Sequence, residues 1–394
     1  MYKPAGPENV EAMKVHGLDV SSGASLEISF LEGTISGVDH LIHPLAAAPF
    51  LSPGWIDLQV NGFAGVDYNN PASSHEQISG SIRAQFACGV TRFYPTVITG
   101  APDRMTGALR NLAKAKESLA EGPAMEAFHL EGPYISPRDG PRGAHPAEWV
   151  RPPDVAEFER FQGAAGGNIR LVTLSPEWPQ APAFIEKLVV RGVVASIGHT
   201  HASAAQIADA VSAGATFSTH LGNGTDPVLP KTANYVWEQL AEDRLAASFI
   251  VDGFHLPAAF LKVALRAKGL DRSVLVTDAV MPAASAPGSY RLGEVDVELH
   301  RDGSVRLAGG TRLAGSALQM DQAISNVIRT AGITLHEAIA LATRNPARVG
   351  RIASRQRGLN PGDRADFVLF RLDHVSGQVQ VLQTFLNGKQ VFSA

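Results

Sequence analysis

Between residues 54 and 279 the chain repeats one rhythm: a short apolar, β-prone run, a polar or glycine-rich break, then an alanine-rich stretch with helical spacing. The apolar runs fall at 55–58, 91–95, 127–130, 169–174, 193–197, 216–218, 247–251 and 274–277. Strand-like runs that alternate with helical stretches favour a parallel sheet, because a parallel return needs a crossover. Between them, 203–212 (SAAQIADAVS) and 257–267 (PAAFLKVALRA) place apolar residues at helix-like intervals, as covering helices must. Eight such units predict a (β/α)₈ TIM-type barrel in preference to an open doubly wound sheet.

Outside this region the period changes from helical to two. Residues 25–38 and 366–391 alternate apolar and polar positions, with a turn signal at Leu386-Asn387-Gly388, which predicts short antiparallel strands. The two ends of the chain are expected to meet in one small β domain, 1–52 plus 356–394, beside a barrel domain over 53–355. A further β-like segment, 290–307, carries Arg301-Asp302-Gly303 between alternating runs and predicts a hairpin inserted after the eighth strand. Helical spacing resumes over 320–348 and is expected to stop near Pro346.

Composition narrows the chemistry. A chain of 394 residues buries enough for one large core and one small. Its net charge of −4, without blocks of like charge, gives no nucleic-acid-binding or polybasic membrane surface, so a small-molecule partner is expected. The single cysteine, Cys88, excludes a disulfide framework within the chain and a cysteine-rich zinc or iron–sulfur site. Charges at Lys3, Glu8, Glu11 and Lys14 interrupt any apolar leader, and no later stretch is apolar enough to span a bilayer. The expectation is a soluble, cytoplasmic protein.

Ligand-capable residues follow successive apolar runs: Glu131, His199, His220 and Asp278. In a barrel these positions share one rim, where catalytic groups from distant parts of the chain converge. Two imidazoles and a carboxylate make a reasonable set of ligands for Zn²⁺ or Fe²⁺ with a position left for water, whose pKa the metal lowers toward neutrality. Asp278 is then placed to take that proton and pass it to a leaving amine. Each residue also has a plainer role open to it: a packed histidine, a helix N-cap for Asp278, a solvated turn carboxylate for Glu131 before Gly132 and Pro133. His129 is expected to face the other side of its strand from Glu131, as core or supporting structure, and His300, His336 and His374 are expected at the surface.

An ordered set of segments is more specific. Residues 53–62 (PGWIDLQVNG), 129–134 (HLEGPY), 142–145 (RGAH), 198–200 (GHT), 219–223 (THLGN), 252–255 (DGFH), 276–279 (VTDA), 313–317 (LAGSA), 345–347 (NPA) and 358–366 (GLNPGDRAD) resemble the N-acetylglucosamine-6-phosphate deacetylases of the amidohydrolase superfamily. The resemblance implies a barrel flanked by a small β-sandwich formed by both termini, usually a homodimer, hydrolysing the acetamide of an N-acetylated hexosamine phosphate. By similarity Glu131, His199 and His220 hold the metal, Asp278 is the catalytic acid/base, and His255 contacts substrate and polarises the acetamide carbonyl. Gln59, Ala144, His145, Asn223, Gly224, Leu313, Ala314 and Gly315 fall at substrate-contact positions. Many members of the superfamily carry His-x-His after the first strand for a second metal. Gln59 and Asn61 stand there in this chain, which implies one metal ion.

The chain departs from the family after His220, where an arginine that reaches the sugar phosphate is replaced in ungapped register by Lys231. Lysine pairs with phosphate as a point charge and lacks the planar fork of arginine. The alternatives are an unphosphorylated N-acyl-sugar or N-acyl-amino-acid deacylase on the same fold, or a catalytically silent barrel serving as a binding module.

Overall fold

In a computed structural model of the protein, which describes residues 12–43, 47–355 and 358–394, eight parallel strands follow one another round a barrel in sequence order. They are Trp55–Val60, Val90–Ile98, Phe128–Glu131, Ile169–Leu174, Val194–Ile197, Phe217–Ser218, Ala246–Phe249 and Ser273–Leu275. All six residues of the first strand are buried, as a strand with the barrel interior on one side and helices on the other requires. The eighth strand meets the first through a single bridge, Val60 to Ala279, with Asp278 N–H donating to the Gln59 carbonyl and Asn61 N–H to that of Ala279. This closure brings Gln59 and Asn61 beside Asp278.

The covering helices start on local signals. Ala204–Ser212 is entered through Ser203, whose side chain accepts from Gln206 N while Gln206 answers back, a reciprocal cap. The stretch 320–348 forms three helices, Met320–Ala331, Leu335–Ala342 and Arg344–Val349, because Gly332 turns left-handed and Thr334 caps a new start. Pro346 does not end a helix as expected. It lies in the first turn of Arg344–Val349, where a missing N–H leaves no bond unmade. The segment after the eighth strand is a three-stranded antiparallel sheet, Gly288–Leu292, Val295–Leu299 and Val305–Leu307, one strand more than the hairpin expected there.

Both ends of the chain feed one seven-stranded sheet that contains Met13–Asp19, Ser25–Leu31, Thr34–His40, Phe50–Pro53, Phe367–Asp373, Gln378–Leu386 and Lys389–Ser393. Asn387 and Gly388 take φ of 54° and 71°, the two left-handed residues of a tight hairpin turn. Phe30 and Phe367 lie three strand steps apart in this sheet, about 14 Å if it were flat at the usual spacing. Their rings are 5.4 Å apart and share a core with Phe385, so the sheet coils into a sandwich around them. Its other face, through Val368, Phe370, Val379 and Val381, packs on the barrel core. Lys3, Glu8, Glu11 and the expected domain junction at 356 lie outside the described residues.

Candidate active site

Glu131 closes the third barrel strand, His199 and His220 stand two residues past the ends of the fifth and sixth, and Asp278 stands three past the eighth. His199, His220 and Asp278 have φ of 49°, 31° and 50°. Residues with side chains avoid this region, and holding one there costs about 1–3 kcal/mol. The barrel imposes that conformation at three positions around one cavity, of about 440 Å³, that all four residues line.

The three donor atoms form a tight triangle. His199 Nε2 lies 3.2 Å and His220 Nε2 2.9 Å from Glu131 Oε1, and the two ring nitrogens are 3.1 Å apart. His199 Nδ1 is 2.9 Å from the Pro141 carbonyl, which only accepts, so Nδ1 carries the proton and Nε2 offers a lone pair. Lone pairs converging at about 3 Å suit a cation, since ligand bonds of about 2.0–2.1 Å in a tetrahedron set donors a little over 3 Å apart. Burial alone would raise the Glu131 carboxyl, but the contacts with His199 and His220 outweigh it and hold Glu131 well below the usual range. Among the described residues this is the one group of histidine, cysteine and acidic side chains disposed to hold a metal.

Asp278 is tied to the triangle by the Gln59 amide and held by that of Asn61. Gln59 Nε2 donates to Glu131 Oε1 at 2.9 Å and to Asp278 Oδ1 at 3.1 Å, and Asn61 Nδ2 donates to Asp278 Oδ1 at 2.6 Å. Burial, followed by the neighbouring Glu131 charge, pushes Asp278 up to about 7. A carboxyl so placed exchanges a proton near neutrality. His255 also lines the cavity; Asp252 holds its Nδ1 at 2.7 Å, which leaves Nε2 as the working atom.

The rest of the lining comes from loops. Ala144 and His145, Asn223 and Gly224, and Leu313, Ala314 and Gly315 all border the cavity. A Cβ on Gly224 would sit 2.7 Å from His199 Nδ1, and the φ there is +57°, so the metal-facing imidazole itself demands glycine. Gln59 is not among the lining residues: its amide nitrogen donates to the two carboxylates that are, Glu131 and Asp278. Lys231 is exposed and also stands outside the lining. His129 does not face away from Glu131. Residues two apart on a strand share a face, and His129 is buried below Glu131 with its Nε2 2.7 Å from Thr173 Oγ1. Burial drives its pKa down to about 4, so it is neutral packing beneath the donor triangle.

A family model described as "Amidohydrolase family" matches residues 50–391. The chain belongs to the amidohydrolase family. Among curated relatives of this amidohydrolase, the N-acetylglucosamine-6-phosphate deacetylase of Bacillus subtilis (strain 168) is 33% identical over 345 residues, 87% of this chain and 84% of that protein. The N-acetylgalactosamine-6-phosphate deacetylase of Escherichia coli O157:H7 is 32% identical over 347 residues, covering 87% and 89%. A solved mutant of N-acetyl-D-glucosamine-6-phosphate deacetylase from Mycobacterium smegmatis, in complex with N-acetyl-D-glucosamine-6-phosphate, superposes with a TM-score of 0.86 at 28% identity, over 97% of this chain and 100% of that one. The protein is thus a hydrolase of metal-dependent type, with a buried Glu131/His199/His220 group to hold the ion.

Several contributors had no role assigned by the motifs, four of them with side chains that shape the site. Asp252 was visible only as part of a segment, its role in holding His255 hidden until the turn 252–255 folds back on itself. Leu292 and Val295 reach the cavity from the inserted sheet, and Arg312 from the loop before Leu313. The only signal for Arg312 in the sequence is a cation directly preceding a segment already assigned to substrate contact.

Proposed function

We propose that this amidohydrolase removes the acetyl group from an N-acetylated amino sugar, N-acetylglucosamine 6-phosphate being the foremost candidate, and releases acetate and the free amine. The observation that carries this reading is Asp278, raised toward neutrality and held by Gln59 and Asn61 against the Glu131/His199/His220 triangle. One divalent ion, Zn²⁺ foremost and Fe²⁺ second, would be held by Glu131, His199 and His220. When bound it polarises the acetamide carbonyl and acidifies a water. Asp278 takes the proton of the attacking water and delivers it to the departing nitrogen, which must be protonated to leave as an amine. His255, oriented by Asp252, donates to the acetamide oxygen as negative charge develops there. Ala144, His145, Asn223, Gly224 and the 313–315 loop position the sugar in this reading. Gln59 contributes indirectly, by holding both carboxylates.

The working form in this reading is a cytoplasmic homodimer. The lone buried thiol of Cys88 suits a reducing compartment, and exposed Val228 and Trp237 are apolar surface that a second copy would cover. No helix among the described residues is long and apolar enough to cross a membrane. The test is acetate release from a panel of N-acetylated sugars, with and without a 6-phosphate, and from N-acetyl amino acids. Release from the amino acids alone would move the enzyme to the N-acyl-amino-acid deacylases. Preference for the unphosphorylated sugar, which Lys231 outside the cavity would favour, would move it to a related sugar deacetylase.

A further inference from the structure

Arg312 is the one lysine or arginine in the cavity lining among the described residues. Its guanidinium lies near the mouth, with the side chain 43% exposed, while the donor triangle and Asp278 are buried at the floor. Nη2 donates to Asp139 Oδ2 at 2.7 Å, and Nη1 to Asp139 Oδ1 and the Gly143 carbonyl, each at 3.2 Å. The same carboxylate is shared with a second arginine: Arg142 Nη2 donates to Asp139 Oδ1 at 2.6 Å, while its Nη1 is fixed on the His145 carbonyl at 2.7 Å. Arg142 Nε is buried without a partner. Asp139 is the only carboxylate in an ion pair with either guanidinium among the described residues, so one negative charge faces two positive ones. The cluster therefore presents a surplus positive charge at the cavity mouth, on side chains whose planar forks match the oxygens of phosphate and carboxylate.

We propose that Arg312 receives an anionic substituent on the sugar, a phosphate monoester or a carboxylate, by exchanging part of its contact with Asp139 for the ligand. The assignment rests on the deacetylase reading above and gives the substrate class its charge. It also moves anion recognition away from Lys231. Arg142 stays in place behind it, anchored on His145, and keeps the cluster cationic when Arg312 turns to the substrate. Asp139, two-thirds exposed, is the group that water can most readily solvate when that exchange happens.

The test compares kcat/KM for acetate release from N-acetylglucosamine, its 6-phosphate and N-acetylmuramic acid, in the native enzyme, Arg312→Ala and Arg312→Lys. Loss of one charge-assisted contact is expected to lower kcat/KM for the recognised anionic sugar roughly 10- to 150-fold, mainly through KM, and by a much larger factor than for the neutral sugar. Arg312→Lys should recover part of that loss, since it restores the charge without the fork. Inorganic phosphate should inhibit release from the neutral sugar in the native enzyme and much less in Arg312→Ala. A loss confined to the phosphorylated sugar names the phosphate, and one confined to the muramic acid names the carboxylate. Equal effects on all three sugars, or no effect on either anionic one, would overturn the role of Arg312 while leaving the deacetylase reading intact. Acetate release from none of the three by the native enzyme would instead strike the deacetylase reading itself.

Discussion

The floor and the mouth of the cavity are built by different rules. The floor is made of residues at or just beyond barrel strand ends, each nearly buried, each tied to a partner: His199 to Pro141, Asp278 to Asn61 and Gln59, Glu131 to both histidines. The mouth is made of loops, with Arg312 and Asp139 exposed and Lys231 outside the cavity lining. Rigid strand ends fix atoms to the tolerance that bond-making chemistry needs, whereas loops are where substrate choice varies between proteins of one fold. Substitutions at the floor should therefore abolish turnover, and those at the mouth should change which sugar is turned over.

The largest effect is expected from the triangle. Glu131→Ala or His220→Ala should take metal content from about one equivalent per chain to near none and acetate release to background, since each removes one of only three donors that converge on one point. Elemental analysis and the acetate assay check this, and two tightly held equivalents in the native protein would sink the reading of one metal per chain. Asp278→Asn should retain the metal and lose on the order of 10²- to 10⁴-fold in kcat, the usual contribution of a positioned acid/base. Near-normal turnover in that variant would place the proton transfer elsewhere.

A smaller, structural effect tests the layer under the floor. Asp57 is buried, accepts from Thr277 Oγ1 at 2.5 Å, and is pushed up to about 7 by burial, against the hydrogen bonds from Thr277 and Gln59 that favour its charged form. The folded protein thus keeps a proton that the unfolded chain, with an ordinary carboxyl near 4, has already released. The stabilising contribution is complete below about pH 4 and is lost as pH rises through about 7. Thermal melts across that range should fall more steeply for the native protein than for Asp57→Asn, which mimics the protonated side chain; parallel curves would show that Asp57 is ionised in the fold. The smallest effect belongs to Lys231→Ala, which should change kcat/KM for neutral and phosphorylated sugars by less than about twofold, the usual size of a solvated surface change. A selective loss on the phosphorylated sugar would return Lys231 to the site and blur the division between floor and mouth.

Much of the floor was legible because its signals are local. Eight buried runs, each with a polar residue at or near its end, carry both the barrel and the positions of Glu131, His199, His220 and Asp278. The left-handed pair Asn387-Gly388 likewise announces its hairpin in two residues. Period-two reasoning also predicts, when applied correctly, that His129 lies beneath Glu131, which the expectation of an opposite face had inverted.

Tertiary structure alone decided the rest, because the deciding contacts join residues far apart along the chain. Gln59 meets Asp278 across 219 positions, and its amide nitrogen thereby bridges two carboxylates. Arg312 meets Asp139 across 173 positions. Whether a loop cation faces the cavity or the solvent depends on where the chain returns over the rim, and neither periodicity nor local register carries that information. Counting along the chain therefore selected Lys231, while the closed barrel put Arg312 at the mouth.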